Sequence, residues 1–364
     1  MKKTFTRRQF AIGSAAALGA VAAGRVASTA PSSPEGQEAF DPYEVAAGEK
    51  QFVYQNIIRN DAVRVDMPIG VINGAERGPT LVVTGGIYAT EYCGIEAASR
   101  MYRDFEPKNI KGRAIIIPVV NMPSFQFRTP MFNLVAGISP MDGKDVNGAF
   151  PGDPNGSVTE VLAHCLFSKI ITKADYHIDL RGGDLPESHV VHSIHPANAS
   201  DEVNRISRAM SRACGYEYFQ ARKPRPGSLI YEASQAGVPS IITQSGLGYK
   251  TQPNEEYIGL HILAVTNVMK HLEMMGGLPT RPKNQREFKI QFDRVFATKS
   301  GIFQGTADQG TILRKGQSIG RITGLDGSTL EELHSPIDGV VHELLVRRVV
   351  FQGDQLYNLV QFAD

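Results

Sequence analysis

Residues 80–91 decide the fold, and they read TLVVTGGIYATE. Apolar residues followed by two glycines predict a buried strand at 80–84 that ends in a tight turn. A helix is predicted at 95–105, and the run RAIIIPVV at 113–120 predicts a second buried strand. A strand, a helix and a strand in this order indicate an α/β unit, and ligands bind such sheets at the carboxyl ends of the strands.

The same alternation continues along the chain. Helices are predicted at 158–173, 202–214 and 257–275, and strands at 174–180 and 240–243. Continuous apolar strands between helices are typical of a sheet that is covered on both faces. The sequence therefore predicts an α/β domain over residues 51–282.

The pattern changes after residues 279–282, which read PTRP. From there glycines separate short β-type runs without helical periodicity, which predicts a separate small all-β module over residues 283–364. Residues 335–341, SPIDGVV, resemble the hairpin of biotinyl and lipoyl barrel-sandwich modules. That hairpin contains no lysine, so we do not expect a swinging-arm carrier.

The composition excludes several classes of protein. The 364 residues are 42% hydrophobic, which is enough for a packed core and excludes a disordered chain. The 38 basic residues balance the 37 acidic ones, and no basic stretch is interleaved with aromatics, so no nucleic-acid partner is expected. Three cysteines without a CxxC spacing predict neither a disulfide framework nor a thiolate zinc site.

The N-terminal residues have the features of an export signal. Residues 6–10, TRRQF, precede an apolar run at 11–23, and this pattern resembles a twin-arginine signal. As a helix the apolar run would span about 20 Å, whereas a bilayer core needs roughly 30 Å, so no stable membrane anchor is expected. We predict a signal peptide at 1–30, a linker at 31–50, and transport by the twin-arginine export machinery to the periplasm or the extracellular space.

Several segments in order resemble the succinylglutamate desuccinylase/aspartoacylase family, a zinc carboxypeptidase-like group of N-acyl amino acid hydrolases. They are GGIYATE at 85–91, PVVNMP at 118–123, DGKDVN at 142–147, FPG at 150–152, ADYHIDLRGGD at 174–184, and the C-terminal β-module. The resemblance runs from about residue 52 to the C-terminus. It implies an α/β fold, namely a zinc carboxypeptidase-like mixed sheet with flanking helices, plus a small C-terminal barrel-sandwich module.

The resemblance also implies a zinc site, and here this chain departs from the family. Members of the family bind zinc through a His and a Glu three residues apart and through a second His in an Asp-Leu-His turn. Tyr88 stands at the first His position and Arg181 at the second, whereas Glu91 is retained. Because a guanidinium cannot lose its proton, Arg181 places a fixed positive charge where the ion would sit. We therefore predict no metal at this site and no cofactor.

Other site residues that the resemblance implies are also altered. The family's general base is a Glu in a segment similar to Ile-Thr-x-Glu-x-Gly, where this chain has Gln244, and an amide cannot act as a base. The family's Asn-Arg pair, which clamps a substrate carboxylate, corresponds to Asn147 and Gly148. Arg128 matches a further anion-binding arginine, and an insertion is expected at 131–139.

These residues suggest a different chemistry. Arg181 could neutralise a substrate carboxylate and lower the pKa of Tyr88, as β-elimination next to a carboxylate requires. The predicted catalytic residues are Tyr88, Arg181, Gln244 and Glu91, and the predicted substrate-binding residues are Arg128, Asn147, Asp179 and His177. The expected function is that of a metal-independent lyase on a carboxylate-bearing small molecule or an acidic glycan such as a uronic-acid polymer.

Three alternatives stay open. Arg181 and Glu91 could form a structural salt bridge that fills a disused pocket. The protein could be a non-catalytic periplasmic binder of an acidic ligand. It could also be a zinc-dependent N-acyl amino acid deacylase that uses unconventional ligands.

The histidines give a weaker signal. If residues 188–195 form one strand, His189 and His192 point to opposite faces, so scattered polar contacts are more expected there than a metal cluster. His195 continues the same three-residue spacing. His177 shares a strand face with Asp179, where a hydrogen-bonded core histidine is more expected than a proton-transfer partner.

Overall fold

The computed structural model describes residues 40–59, 63–127, 137–183, 187–246, 254–346 and 348–363. The predicted signal peptide, the first part of the predicted linker and Arg128 lie outside the described residues. Within the described ranges, no helix is both long and apolar enough to cross a membrane.

A large mixed sheet forms the centre of the fold. Its strands before residue 282 are β1 (Lys50–Arg59), β2 (Arg64–Asn73), β3 (Glu76–Gly85), β4 (Lys111–Ile117), β5 (Tyr176–Arg181), β6 (Glu187–His189), β7 (His192–Pro196), β8 (Tyr218–Arg222) and β9 (Ser240–Gln244). The strands after residue 282 are divided between this sheet and a second one. They are β10 (Arg286–Phe296), β11 (Gly301–Gly305), β12 (Ile312–Leu313), β13 (Ser318–Thr323), β14 (Thr329–His334), β15 (Gly339–Leu345), β16 (Val349–Val350) and β17 (Gln355–Phe362). Neighbours in the large sheet follow the order β1-β2-β4-β3-β5-β9-β7-β8-β10-β17-β15-β12, and β6 pairs with β15.

Helices cover both faces of this sheet. They are α1 (Tyr92–Asp104), α2 (Met122–Gln126), α3 (Val158–Lys169), α4 (Asp201–Ala213), α5 (Leu229–Gln235) and α6 (Glu255–His271). Leu81 and Val83 of β3 belong to a buried cluster with residues of α1, α4 and α6, whereas Val82 belongs to a second cluster with residues of α3. Successive side chains of a strand point to opposite faces, which explains the continuous apolar run in β3. The predicted α/β fold class is confirmed.

Two predicted helices end earlier than their apolar pattern suggests. The segment predicted at 158–173 leaves the α-helix after Lys169, because Ile170 has a φ of −122°, and continues as a 3₁₀ turn at Ile171–Lys173. The segment predicted at 257–275 ends at His271, before a positive φ of 59° at Glu273. Apolar residues beyond both ends still face the core, so their periodicity alone does not mark the boundary.

The C-terminal strands are joined to the large sheet. The sequence predicts a separate module, but β10 pairs in parallel with β8, β17 pairs with β10, and β15 pairs with both β17 and β6. A second sheet, in the order β14-β13-β11-β16, packs with these strands around its own apolar cluster. The β-rich part therefore extends the central sheet through strand pairing and is not attached to it only by a linker.

Residues 40–49 also differ from the predicted linker. The Tyr43 hydroxyl donates a hydrogen bond of 2.6 Å to the carbonyl of Ile170, and Val45 is buried in the cluster that includes Val82. These two aromatic and apolar side chains fix the segment to the domain, although its composition is that of a linker.

Candidate active site around Arg181

The site lies where three parallel strands end side by side. β5 runs between β3 and β9, with Thr84 opposite Asp179 and Arg181 opposite Gln244. Side chains at the carboxyl ends of adjacent parallel strands meet at one edge of a sheet. This register brings two of the predicted catalytic residues and one predicted substrate-binding residue to the same edge.

The loop after β3 supplies the other predicted catalytic residues. Gly86 has a φ of 59°, and a Cβ at this position would lie 3.1 Å from the Ile95 side chain, so the turn requires glycine. The chain then passes through Tyr88 to Glu91, which directly precedes the first residue of α1. The glycine turn therefore places both side chains beside the end of β5.

Arg181 is the centre of the cluster. Its Nε donates to Oε2 of Glu91 at 3.0 Å, and its Nη1 donates to Oδ2 of Asp179 at 3.3 Å. The guanidinium carbon lies 3.9 Å from the centre of the Tyr88 ring, which is cation–π geometry. Arg181, Glu91 and Asp179 are only 9%, 4% and 2% exposed. Burial acts to lower the pKa of Arg181, but Glu91, Tyr88 and Asp179 together raise it, so the guanidinium stays charged.

Hydrogen bonds between the side chains of β3 and β5 support this cluster. The Thr84 hydroxyl donates to Oδ1 of Asp179 at 2.8 Å and lies 3.0 Å from Nε2 of His177. Since Thr84 has one proton to donate, His177 must supply the proton in their mutual bond. Burial lowers the pKa of His177 to about 3, so its ring is neutral. His177 therefore acts as a buried hydrogen-bond donor behind Asp179.

Arg181 acts to lower the pKa of Tyr88, as expected, but the net shift of this pKa is upward. Burial raises the pKa above the ordinary value of 10.0, and the opposing effects of Arg181 and of the Asn147 hydrogen bond do not cancel it. The negative charges of Asp145 and Glu91 add to the rise. The phenolate is not favoured at this site, because desolvation of the charged form outweighs one nearby cation. Tyr88 is a phenol at neutral pH.

A cation that the sequence did not indicate, Arg225, lies beside Asn147. The Asn147 side chain donates to the Tyr88 hydroxyl at 3.4 Å. Arg225 donates to Oδ2 of Asp145 and, at 3.2 Å, to the carbonyl of Asn147. A Cβ at Gly148 would lie 3.6 Å from Nη2 of Arg225. The arginine that the resemblance implies at position 148 is absent, but Arg225 brings a guanidinium beside that position from a distant part of the chain.

The remaining predicted residues are less central. Gln244 is partly buried, and its amide nitrogen donates to the carbonyl of Gly182 at 3.2 Å. This bond fixes the backbone after β5. Arg128 is outside the described residues, so the structure does not place it relative to the cluster.

The cluster does not fit a zinc ion. A catalytic zinc needs three donors aimed at one open position. Here the guanidinium of Arg181 stands between the two carboxylates of Glu91 and Asp179 and hydrogen-bonds both. A cation in this space would face a charge that cannot be removed by deprotonation.

Restoring the family's residues should restore a metal site. We expect the triple variant Tyr88→His, Arg181→His, Gln244→Glu to bind one additional zinc ion per chain compared with the parent protein, measured by metal analysis after dialysis. Each single variant should gain none, because one or two ligands are insufficient and Arg181 opposes the ion wherever it remains. A folded triple variant without additional zinc would show that these positions do not correspond to the family's ligands.

Comparison with known proteins supports the resemblance. The model of the succinylglutamate desuccinylase/aspartoacylase catalytic domain matches residues 77–272, more than half of the chain. The N-alpha-acetyl-L-2,4-diaminobutyric acid deacetylase of Halomonas elongata is 25% identical over 314 residues, which cover 82% of this chain and 87% of that protein.

Solved structures share the fold. A succinylglutamate desuccinylase/aspartoacylase from Rhodobacter sphaeroides has a TM-score of 0.76 and 27% identity, over 86% of this chain and 96% of that one. The product-bound ectoine utilization protein EutE (DoeB) from Ruegeria pomeroyi has a TM-score of 0.77 and 21% identity, over 86% and 95%. Because the family model matches residues 77–272, more than half of the chain, the chain belongs to the succinylglutamate desuccinylase/aspartoacylase family.

Proposed function

We propose that the protein is a metal-independent lyase that acts by β-elimination on a carboxylate-bearing substrate, such as an acidic sugar. The observation that carries the proposal is the position of Arg181, a permanently charged guanidinium packed against the Tyr88 ring at the end of the central strands. It supplies positive charge where the chemistry of this family uses a metal. Negative charge that develops in a buried, low-dielectric site is stabilised strongly by such a fixed cation.

The substrate carboxylate has a recognition site in this proposal. The Arg225 side chain is 62% exposed and lies beside Gly148, where it donates to the Asn147 carbonyl and to Asp145. A guanidinium binds a carboxylate through two parallel hydrogen bonds, which fixes its orientation. Gly148 has no side chain that could compete with a ligand for this guanidinium.

Each residue then has a distinct role in moving protons. β-Elimination removes the proton next to the carboxylate, forms a carbon–carbon double bond and breaks the bond to the leaving oxygen. Tyr88 is protonated at neutral pH and can donate its proton to that oxygen, and Arg181 and Asn147 can stabilise the phenolate that results. Glu91, the acidic residue retained from the family's site, is the proposed acceptor of the carbon-bound proton.

A second candidate function is binding of an acidic ligand without turnover. It is favoured by the pairing of Arg181 with Glu91 and Asp179, which offsets its charge before any ligand arrives. It is also favoured by the raised pKa of Tyr88, which makes the phenol a weak acid. In this case the cluster is structural, and Arg225 holds the ligand.

One screen distinguishes the candidates. The purified protein is incubated with uronic-acid polymers and with N-acyl amino acids, with and without a chelator. The lyase proposal predicts ultraviolet absorbance from an unsaturated product, unchanged by the chelator. Binding without any product would favour the second candidate, and release of a free amine that stops on chelation would show a metal-dependent deacylase and overturn both.

We also propose that the protein is exported, on the basis of the twin-arginine pattern at residues 6–10. Cell fractionation tests this directly. The parent chain should accumulate outside the cytoplasm, whereas Arg7→Lys/Arg8→Lys should remain inside, and equal distribution of the two would contradict export by this route.

A further inference from the structure

Three histidines and a glutamate meet at the junction of β6, β7 and β15, two strands away from Arg181. His189 on β6 is directly opposite Glu343 on β15. The ring centre of His342 lies 4.4 Å from that of His192 and 6.2 Å from that of His189. All three histidines are at least nine-tenths buried.

The expectation that His189 and His192 point apart is wrong. It assumed one continuous strand at 188–195, but β6 ends at His189 and β7 begins at His192. The break between them turns both rings toward His342. This third ring comes from residues about 150 positions later, which no spacing within 188–195 could indicate.

The hydrogen bonds of two of these rings fix where their protons lie. Nδ1 of His192 is 2.8 Å from the carbonyl of Val190, and a carbonyl only accepts, so this nitrogen carries the proton. In a neutral ring Nε2 of His192 is then an acceptor, and it lies 3.1 Å from Nε2 of His342, which must donate. Nδ1 of His342 is left with a free lone pair.

That lone pair has no protein donor among the described residues, although His342 is completely buried. Nδ1 of His189 is likewise buried without a hydrogen-bond partner in the described chain. Oε2 of Glu343 lies 3.9 Å from this Nδ1, too far for a hydrogen bond. One ligand-type atom from each of His189, His342 and Glu343 lies within 4.8 Å of the others. A buried acceptor without a donor is costly, and a cation shared with His189 and Glu343 would satisfy the lone pair of His342.

We propose that His189, His342 and Glu343 form a binding site for a divalent transition-metal ion, with zinc as the ion best suited to two imidazoles and one carboxylate. Three protein ligands leave a fourth coordination position open. The site is distinct from the position that the family's zinc would take, since none of its residues belongs to the Arg181 cluster.

The surroundings are those of a supported metal site. A metal-bound histidine usually donates its second N–H to a neighbour that fixes the ring, and His192 accepts that bond from His342. The Asn358 amide donates to Oε2 of Glu343 at 2.5 Å, which orients the carboxylate.

The charges around the site permit a cation. Glu187 lies 3.6 Å from Nε2 of His189 and adds a second carboxylate beside Glu343. Arg222 is the opposing charge, and burial lowers its pKa to about 10 while Glu343 acts to raise it. Its Nε donates to Gln220 at 2.9 Å, so the guanidinium is tied to β8. Two carboxylates therefore face one guanidinium here, and Arg181, the further cation that acts on Arg222, is already paired with Glu91 and Asp179.

The test measures zinc binding by the full chain, independently of turnover. Zinc is titrated against a chromophoric chelator, and cobalt is substituted to record the visible absorption of the bound ion. We expect one zinc per chain in the parent, and an affinity at least a hundredfold lower in His189→Ala and in Glu343→Gln. His192→Ala should lose about 10–100-fold, the usual effect of removing a group that orients a ligand.

Two control variants show whether the zinc is held at this site. His195→Gln changes a buried histidine of the same strand β7 and should keep full zinc affinity, as should Glu91→Gln, which changes the family's retained ligand. Zinc that persists in both His189→Ala and Glu343→Gln, or that disappears in Glu91→Gln, would overturn the proposal. Melting temperatures in metal-free buffer show whether each variant is folded. If His189→Ala does not fold, Glu343→Gln still tests the site, because it preserves the side-chain volume. Because metal content is the readout, the lyase proposal can fail while this one holds, and the reverse.

Discussion

Tyr88→Phe should lower turnover by about two to four orders of magnitude, the usual contribution of a positioned general acid or base. The change removes the hydroxyl but keeps the ring that packs on Arg181. The Asn147 bond is long and involves only one donor, so the free energy of unfolding should change by no more than about 1 kcal/mol. Initial rates on the substrate identified by the screen and a thermal melt measure both quantities.

The pH dependence identifies the role of the phenol. A proton donor is active while protonated, so turnover should stay high and fall only above the ordinary phenol pKa of 10.0, because burial raises the pKa of Tyr88. A phenolate base would instead give turnover that rises through this range. Tyr102→Phe is the matched control, since Tyr102 is a tyrosine of α1 that packs on Phe52. If Tyr88→Phe retains the parent's turnover, Tyr88 has no part in the chemistry.

Arg181→Met should destabilise the fold by about 3–5 kcal/mol, because it leaves the buried carboxylates of Glu91 and Asp179 without their cation. Chemical denaturation at neutral pH measures the loss. Arg181→Lys keeps the charge and should retain part of the stability, but it loses the two-pronged contact and should still lower turnover. Full stability in Arg181→Met would mean that the two carboxylates are not held by this charge.

Two further variants test the cause of that loss. Combining Arg181→Met with Glu91→Gln and Asp179→Asn removes the unpaired charges and should recover most of the lost stability. Arg103→Met breaks an exposed ion pair with Asp104 and should leave the free energy of unfolding nearly unchanged. If Arg103→Met and Arg181→Met lower the free energy of unfolding equally, burial of the Arg181 cluster does not explain the loss of stability in Arg181→Met.

The sequence is most informative where local pattern determines structure. The apolar run at 80–84 predicts β3, and the pairing of Arg181 with Glu91 is among the alternatives that their positions suggest. The pKa of Tyr88 is not predictable, because it depends on how much water the folded site excludes. Arg225 has no signal either, since it lies 77 residues from Gly148 in the chain and meets it only through the fold. His342 and the joining of β10 to β8 depend on strand pairing in the same way.

The pairing of β6 with β15 sets the order in which this protein can fold. Residues 187–189 find their partners only at 343–345, and β10 is completed on its other side by β17 at 355–362. Contacts of such large sequence separation form slowly, and they cannot form before residues 343–345 and 355–362 have left the ribosome. A chain that stops before β15 would leave the edges of β6 and β10 exposed, and open strand edges pair readily with other molecules. A product truncated before β15 is therefore expected to aggregate.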